Sequence, residues 1–173
     1  MLLYDEMEGF SLKKRKLHKT NAMRILEERH IEYKLYEYPW KEDHLDAEMA
    51  AVVAGVPKEN MYKTLVAVGD KTDILIACLP SNHEINLKAL AKVSHNKKVT
   101  MLPMKDLEKV TGYIRGGCSP VGMIKQYPTF IAEDAEHLLE VVVSAGKRGV
   151  QMGLKPNELQ TMTKGIFANF SSV

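Results

Sequence analysis

Residues 111–122 read TGYIRGGCSPVG, which crowds glycines, a cysteine, a serine and a proline into one short stretch. Two kinds of chemistry fit it. The first is nucleophilic attack by Cys118 or Ser119. An attacking thiol or hydroxyl needs a general base and a group to orient that base, and nothing beside either residue supplies them. Cys118 looks exposed but idle, and Ser119–Pro120 reads as turn chemistry. The second is main-chain chemistry. Gly116 and Gly117 carry no Cβ, so their N–H groups can approach a ligand closely and take up positive φ, while Pro120 stiffens the far side. Such a loop can form an oxyanion hole, in which one donor is worth about 3–4 kcal/mol of transition-state stabilisation. The second reading is preferred.

Two further stretches carry candidate groups. In MYKT (61–64) Lys63 opens a strand that soon becomes wholly apolar. Its ammonium either snorkels at a sheet edge or points into a cleft as a fixed positive charge for a phosphate or oxyanion. On the residues alone the first is the simpler reading. In VSAGKRG (143–149) a strand runs into Ser144 and then a small-residue turn holding Lys147 and Arg148. This is a hairpin turn with solvated charges, or a phosphate-reading turn with Ser144 bonding a ligand at the strand end.

Other chemistry is disfavoured. The six histidines are scattered without metal-ligand spacing, so no metal and no cofactor is expected. Neither a Walker loop nor GxGxxG occurs. The net charge of +2 is mild, so nucleic-acid binding must use a local patch. The run KKRKLHK (13–19) is either a solvated tail or a foothold for phosphates. No apolar run reaches membrane-spanning length, and MLLYDEMEGF does not resemble a signal peptide. Cys78 and Cys118 stand alone, which suits a reducing compartment; no membrane partner and a cytoplasmic location are expected.

The secondary structure around these groups is legible in outline. Residues 1–19 read as a basic, flexible tail and 20–173 as one domain. Thr20 or Asn21 can cap a helix through about residue 29; EYKLYEYPW alternates as a strand; Asp46 can cap a second helix, AEMAAVVAG. YKTLVAVGDKTDILIACLP reads as a hairpin turning at Gly69–Asp70. Asn86 caps LKALAKV, KKVTML is a strand, Pro103 starts a helix and Gly112 ends it. The strands PTFIA, EVVVSAG and GVQMGL follow, and Pro156 begins the last helix. Strands and helices mix without a regular βαβ beat. The fold class is therefore α/β of a mixed, α+β-like kind: a curved, partly barrel-like mixed sheet surrounded by helices.

Taken together, YKTL, GYIRGGCSP, PT at a strand start and VSAGKRG, in that order, resemble the YbaK/EbsC family, free-standing relatives of the editing domain inserted in bacterial prolyl-tRNA synthetases. The resemblance spans roughly residues 20–170 and is greatest to the Cys-tRNA(Pro) deacylase branch. It implies removal of a mischarged amino acid from the 3′ end of tRNA, in company with prolyl-tRNA synthetase in a ternary complex. Lys63 then holds the terminal phosphate or neighbouring polar groups, Gly116 polarises the ester carbonyl and Ser144 is the serine before the glycine turn. Tyr38, Thr64, Gly117, Ser119, Pro120, Ala145, Gly146, Lys147 and Arg148 line the substrate. The chain departs from the family pattern at Ala145, where a glycine is common, and at Gln151, where some members carry an acid. No bulky aromatic stands near Leu45–Asp46.

An aminoacyl ester is activated, so a pocket need only place its carbonyl against donors and admit a nucleophile. The resemblance implies that this nucleophile is the substrate's own cysteine thiol, releasing a thiolactone, or else a water positioned by the terminal 2′-hydroxyl. The enzyme is formally a lyase or a hydrolase accordingly. The rival readings are a non-catalytic tRNA- or synthetase-binding module of the same fold, and a deacylase for another small amino acid such as alanine.

Overall fold

The local signals for helix ends are met by side chains. In the computed structural model, which describes residues 2–5, 13–16, 18–40 and 55–173, strands β1 (Leu2–Asp5) and β2 (Lys13–Lys16) pair as a separate antiparallel ribbon within the stretch read as a tail. Helix α1 (Asn21–Glu28) is capped by Thr20, whose Oγ1 accepts the Met23 N–H. It buries Ala22, Met23 and Leu26, the spacing of one helical face. Strand β3 (Lys34–Glu37) follows; the second helix expected from Asp46 lies outside the described residues.

Strands β4 (Tyr62–Gly69) and β5 (Asp73–Pro80) form the expected hairpin, in continuous register from Tyr62 opposite Pro80 to Gly69 opposite Asp73. Asn96 clamps its turn, accepting the N–H groups of Lys71 and Thr72. That register sets Lys63 opposite Leu79, so the turn at one end places the lysine at the other. After β6 (Glu84–Ile85), Asn86 caps α2 (Leu87–Val93) through the Ala89 N–H. Strand β7 (Val99–Met101) leads to a 3-10 turn after Pro103, then α3 (Leu107–Thr111), which Gly112 ends in the left-handed region. Strands β8 (Thr129–Ala132), β9 (Val141–Lys147) and β10 (Val150–Leu154) precede α4 (Pro156–Thr163), with proline in its first turn. Two short strands that periodicity did not reveal close the chain, β11 (Ile166–Ala168) and β12 (Ser171–Ser172).

The larger sheet has the order β11-β8-β5-β4-β7; β8 runs parallel to both β5 and β11, and the other pairs are antiparallel. A smaller antiparallel sheet has the order β3-β10-β9. The two meet where Met61, just ahead of β4, bridges Val142 of β9 in parallel. The mixed α/β class is thus as expected, with the sheets curled together at one seam rather than closed into a barrel. The main core lies between them and the helices, with Leu75, Leu79, Ile131, Val141, Met152, Leu159 and Phe170 all buried. Among the described residues no helix is long and apolar enough to cross a membrane.

Candidate functional site

The seam between the sheets brings distant residues into register. From the Met61–Val142 bridge, Lys63 and Ser144 each lie two residues further along two strands running the same way. With a side-chain period of two, both project on the bridge's own face; β4 and β9 pack against each other. Ser144 is in turn opposite Gln151, and Gln151 opposite Tyr36, so these three share that face. The face carries a small apolar cluster of Val56, Met61 and Val142 with Tyr36 and Tyr38, separate from the main core.

The polar groups on this face are held by short bonds. The Lys63 ammonium donates to the His83 carbonyl at 2.6 Å. It is half-buried, and desolvation pulls its pKa below the ordinary lysine value, with Glu84 acting weakly the other way. Gln151 Nε2 donates to the Tyr38 hydroxyl at 3.2 Å, and the Gly146 N–H donates to Ser144 Oγ at 3.2 Å. The Tyr36 hydroxyl donates to Glu140 at 2.8 Å, and burial, aided by that carboxylate, raises its pKa to about 12. Thr64 is on the other side of β4 from Lys63. Its hydroxyl sits 4.0 Å from the buried Cys78 sulfur.

The glycine loop docks against the β9–β10 turn. A tight turn is closed by the Gly117 N–H donating to the Ile114 carbonyl at 2.9 Å, with Gly116 at φ +83°. The Gly117 amide is therefore engaged, whereas the Gly116 N–H makes no hydrogen bond among the described residues. A Cβ on Gly116 would lie 2.9 Å from Trp40 Nε1, and one on Gly117 3.0 Å from the Arg148 nitrogen. The missing side chains thus let the loop lie directly on the indole and on the 147–148 backbone. Arg148 completes the contact: its guanidinium carbon is 4.1 Å from the Trp40 ring centroid, and its Nε donates to the Arg115 carbonyl at 2.9 Å. Tyr38, Trp40, Lys147 and Arg148 border a cavity of about 420 Å³.

The back of the same loop is scaffold. Cys118, which looks exposed in the sequence, is buried, and desolvation pushes its thiol up to about 11 against a smaller pull from the Thr111 hydroxyl. Ser119 is fully buried and accepts the Val121 N–H at 3.2 Å, a turn bond around Pro120, which is buried too. Ala145 belongs to the main core, and its carbonyl accepts from Thr20 at 2.5 Å. Gly146, at φ +95°, holds the ring of Tyr113; a Cβ there would lie 2.7 Å from Tyr113 Cε1. The Tyr113 hydroxyl donates to the Val121 carbonyl at 2.7 Å, tying loop and turn together.

Lys63, Ser144, Tyr38 and Gln151 are therefore gathered on one face, and Gly116, Gly117, Lys147 and Arg148 meet at the end of β9. Thr64, Ser119, Pro120 and Ala145 point elsewhere or are buried. The sequence reading missed Trp40 and Tyr113. Trp40 had a signal, as a lone tryptophan directly after a strand and a proline; Tyr113 had none, because Gly146, on which its ring rests, is far away in the chain. Among the described residues no group of three His, Cys, Asp or Glu is placed to hold a metal.

Known proteins share this sequence and fold. Residues 41–162 match the model of the aminoacyl-tRNA editing domain family. The chain is 52% identical over 160 residues to EbsC of Enterococcus faecalis, a candidate Cys-tRNA(Pro)/Cys-tRNA(Cys) deacylase, covering 92% of this chain and 98% of that one. A stretch of 76 residues is 33% identical to a proline–tRNA ligase of Syntrophotalea carbinolica, covering 44% of this chain and 13% of the ligase. A candidate trans-editing enzyme for prolyl tRNA synthetase has the same fold, with a TM-score of 0.77 at 23% identity, over 91% of this chain and all of that one.

Proposed function

Because this chain belongs to the aminoacyl-tRNA editing domain family, we propose that it is a trans-editing deacylase that clears cysteine from Cys-tRNA(Pro), and from Cys-tRNA(Cys). The observation that carries the reading is that Lys63 and Ser144 share one face of the seam between the sheets, while the glycine loop docks on the turn that follows Ser144. Lys63 supplies positive charge in a partly desolvated setting, where it acts more strongly than in water. The Gly116 N–H is the main-chain donor for the ester carbonyl as charge develops on its oxygen. Ser144 and Tyr38 line the amino-acid end.

No protein nucleophile is required. The substrate thiol attacks its own carbonyl: an S–C bond forms, the ester C–O bond breaks, and the tRNA 3′-oxygen leaves with the thiol proton, giving a thiolactone. Water attack instead gives free cysteine. The product distinguishes the two. Burial of both cysteine thiols supports this arrangement, since neither offers an accessible thiolate at neutral pH.

We infer further that the protein works in the cytoplasm beside prolyl-tRNA synthetase, whose mischarged product it would intercept. The test is a panel of tRNA(Pro) charged with cysteine, alanine or proline, plus Cys-tRNA(Cys), with and without the synthetase. The expected result is rapid loss of cysteine alone. Tight tRNA binding with no acceleration would make the chain a binding module, and preferential loss of alanine would change the substrate.

A further inference from the structure

Arg148 lies in a turn that reads as a phosphate clamp, but its guanidinium carbon stands over the Trp40 ring. The guanidinium carbon is 4.1 Å from the Trp40 ring centroid, and Nε donates to the Arg115 carbonyl at 2.9 Å. One face of the guanidinium is thus occupied by the indole. Arg148 is nonetheless exposed, which leaves its outer face to solvent at the border of the 420 Å³ cavity. A cavity of that size is within the range of small-ligand sites. The platform is also tied to the glycine loop, because the Trp40 edge rests where a Gly116 Cβ would be.

Unpaired nucleotides are commonly bound by stacking their bases on aromatic rings or on guanidinium planes. Arginine suits this where lysine does not, since only the guanidinium is flat and delocalised. We propose that Arg148, held flat on Trp40, is the platform on which the unpaired 3′-terminal nucleobase of the tRNA stacks. The ribose ester of that nucleotide then extends toward the Gly116 N–H on the adjoining loop. This inference rests on reading the site as one that takes a tRNA 3′ end, and it gives Trp40 and Arg148 a shared role in positioning that end.

Trp40 is the only tryptophan in the chain, so its fluorescence reports the platform directly. The probes are the uncharged trinucleotide CCA and the same trinucleotide lacking its 3′-terminal base. CCA should change Trp40 emission saturably, and the abasic form should bind about tenfold more weakly. Arg148→Lys keeps the charge but removes the plane. It should lose about tenfold for CCA and little for the abasic form. Equal binding of the two trinucleotides by the wild-type protein, or binding of neither, would overturn the platform without recourse to any variant. Deacylation of Cys-tRNA(Pro) by the same preparation is scored separately. Base-dependent binding without deacylation keeps the platform and removes the deacylase reading. Full deacylation with base-independent binding does the reverse.

Discussion

The two sides of strand β9 face different worlds. One turns Val141, Val143 and Ala145 into the main core, where almost every neighbour is apolar and fully buried. The other carries Val142 and Ser144 into a thin cluster in which Lys63, Tyr38 and Gln151 are satisfied by single hydrogen bonds. The core side stabilises the fold by removing apolar area from water. The other side holds a lysine whose charge is disfavoured where it stands. A group that costs stability in the folded state is a candidate for function, because packing alone gives no reason to keep it.

That contrast can be broken most sharply at Lys63. Replacing it by methionine should lower kcat/KM on Cys-tRNA(Pro) by about 10²–10³-fold, while making the protein more stable near neutral pH. The folded-state pKa of Lys63 lies below its unfolded value, so between the two the unfolded chain binds more protons and wild-type stability rises with pH. The advantage of the methionine variant should therefore shrink as pH climbs toward the ordinary lysine pKa. Denaturation curves across that range decide it; a variant less stable at every pH makes Lys63 a structural residue.

On the core side, Ile131 is fully buried on β8, between β5 and β11. Ile131→Ala should destabilise the protein by about 3 kcal/mol, with the folded fraction still turning over substrate normally. A loss of turnover in folded protein would mean the two sides are coupled. Tyr113 stands between them, its ring on Gly146 and its hydroxyl on the Val121 carbonyl. Tyr113→Phe strips a buried carbonyl of its donor and should cost about 1–2 kcal/mol, with faster amide exchange confined to the 114–122 loop. Exchange unchanged in that loop would show that Tyr113 does not brace it.

The smallest effect is expected at Cys118. Burial places its thiol at about 11 and that of Cys78 at about 12, so both are protonated at neutral pH. Cys118→Ala should leave deacylation unchanged, and native protein should resist alkylation at both thiols until it is unfolded. Rapid labelling of native Cys118 together with lost activity would restore a protein nucleophile.

Short-range signals in the sequence account for the local structure. Thr20 and Asn86 cap their helices, Gly112 stops α3, and the β4–β5 hairpin falls where alternation and a turn predict, because each signal acts over a few residues. The glycine loop and the Ser144 turn were legible as special backbone for the same reason. Which of these stretches meet was settled by long-range packing. The Met61–Val142 bridge puts Lys63 and Ser144 on one face, Trp40 settles on Gly116, and β11 adds parallel to β8. Pairings of that kind join residues from distant parts of the chain. Their register is set by the packing of whole sheets and helices, and no short-range pattern of side chains records it.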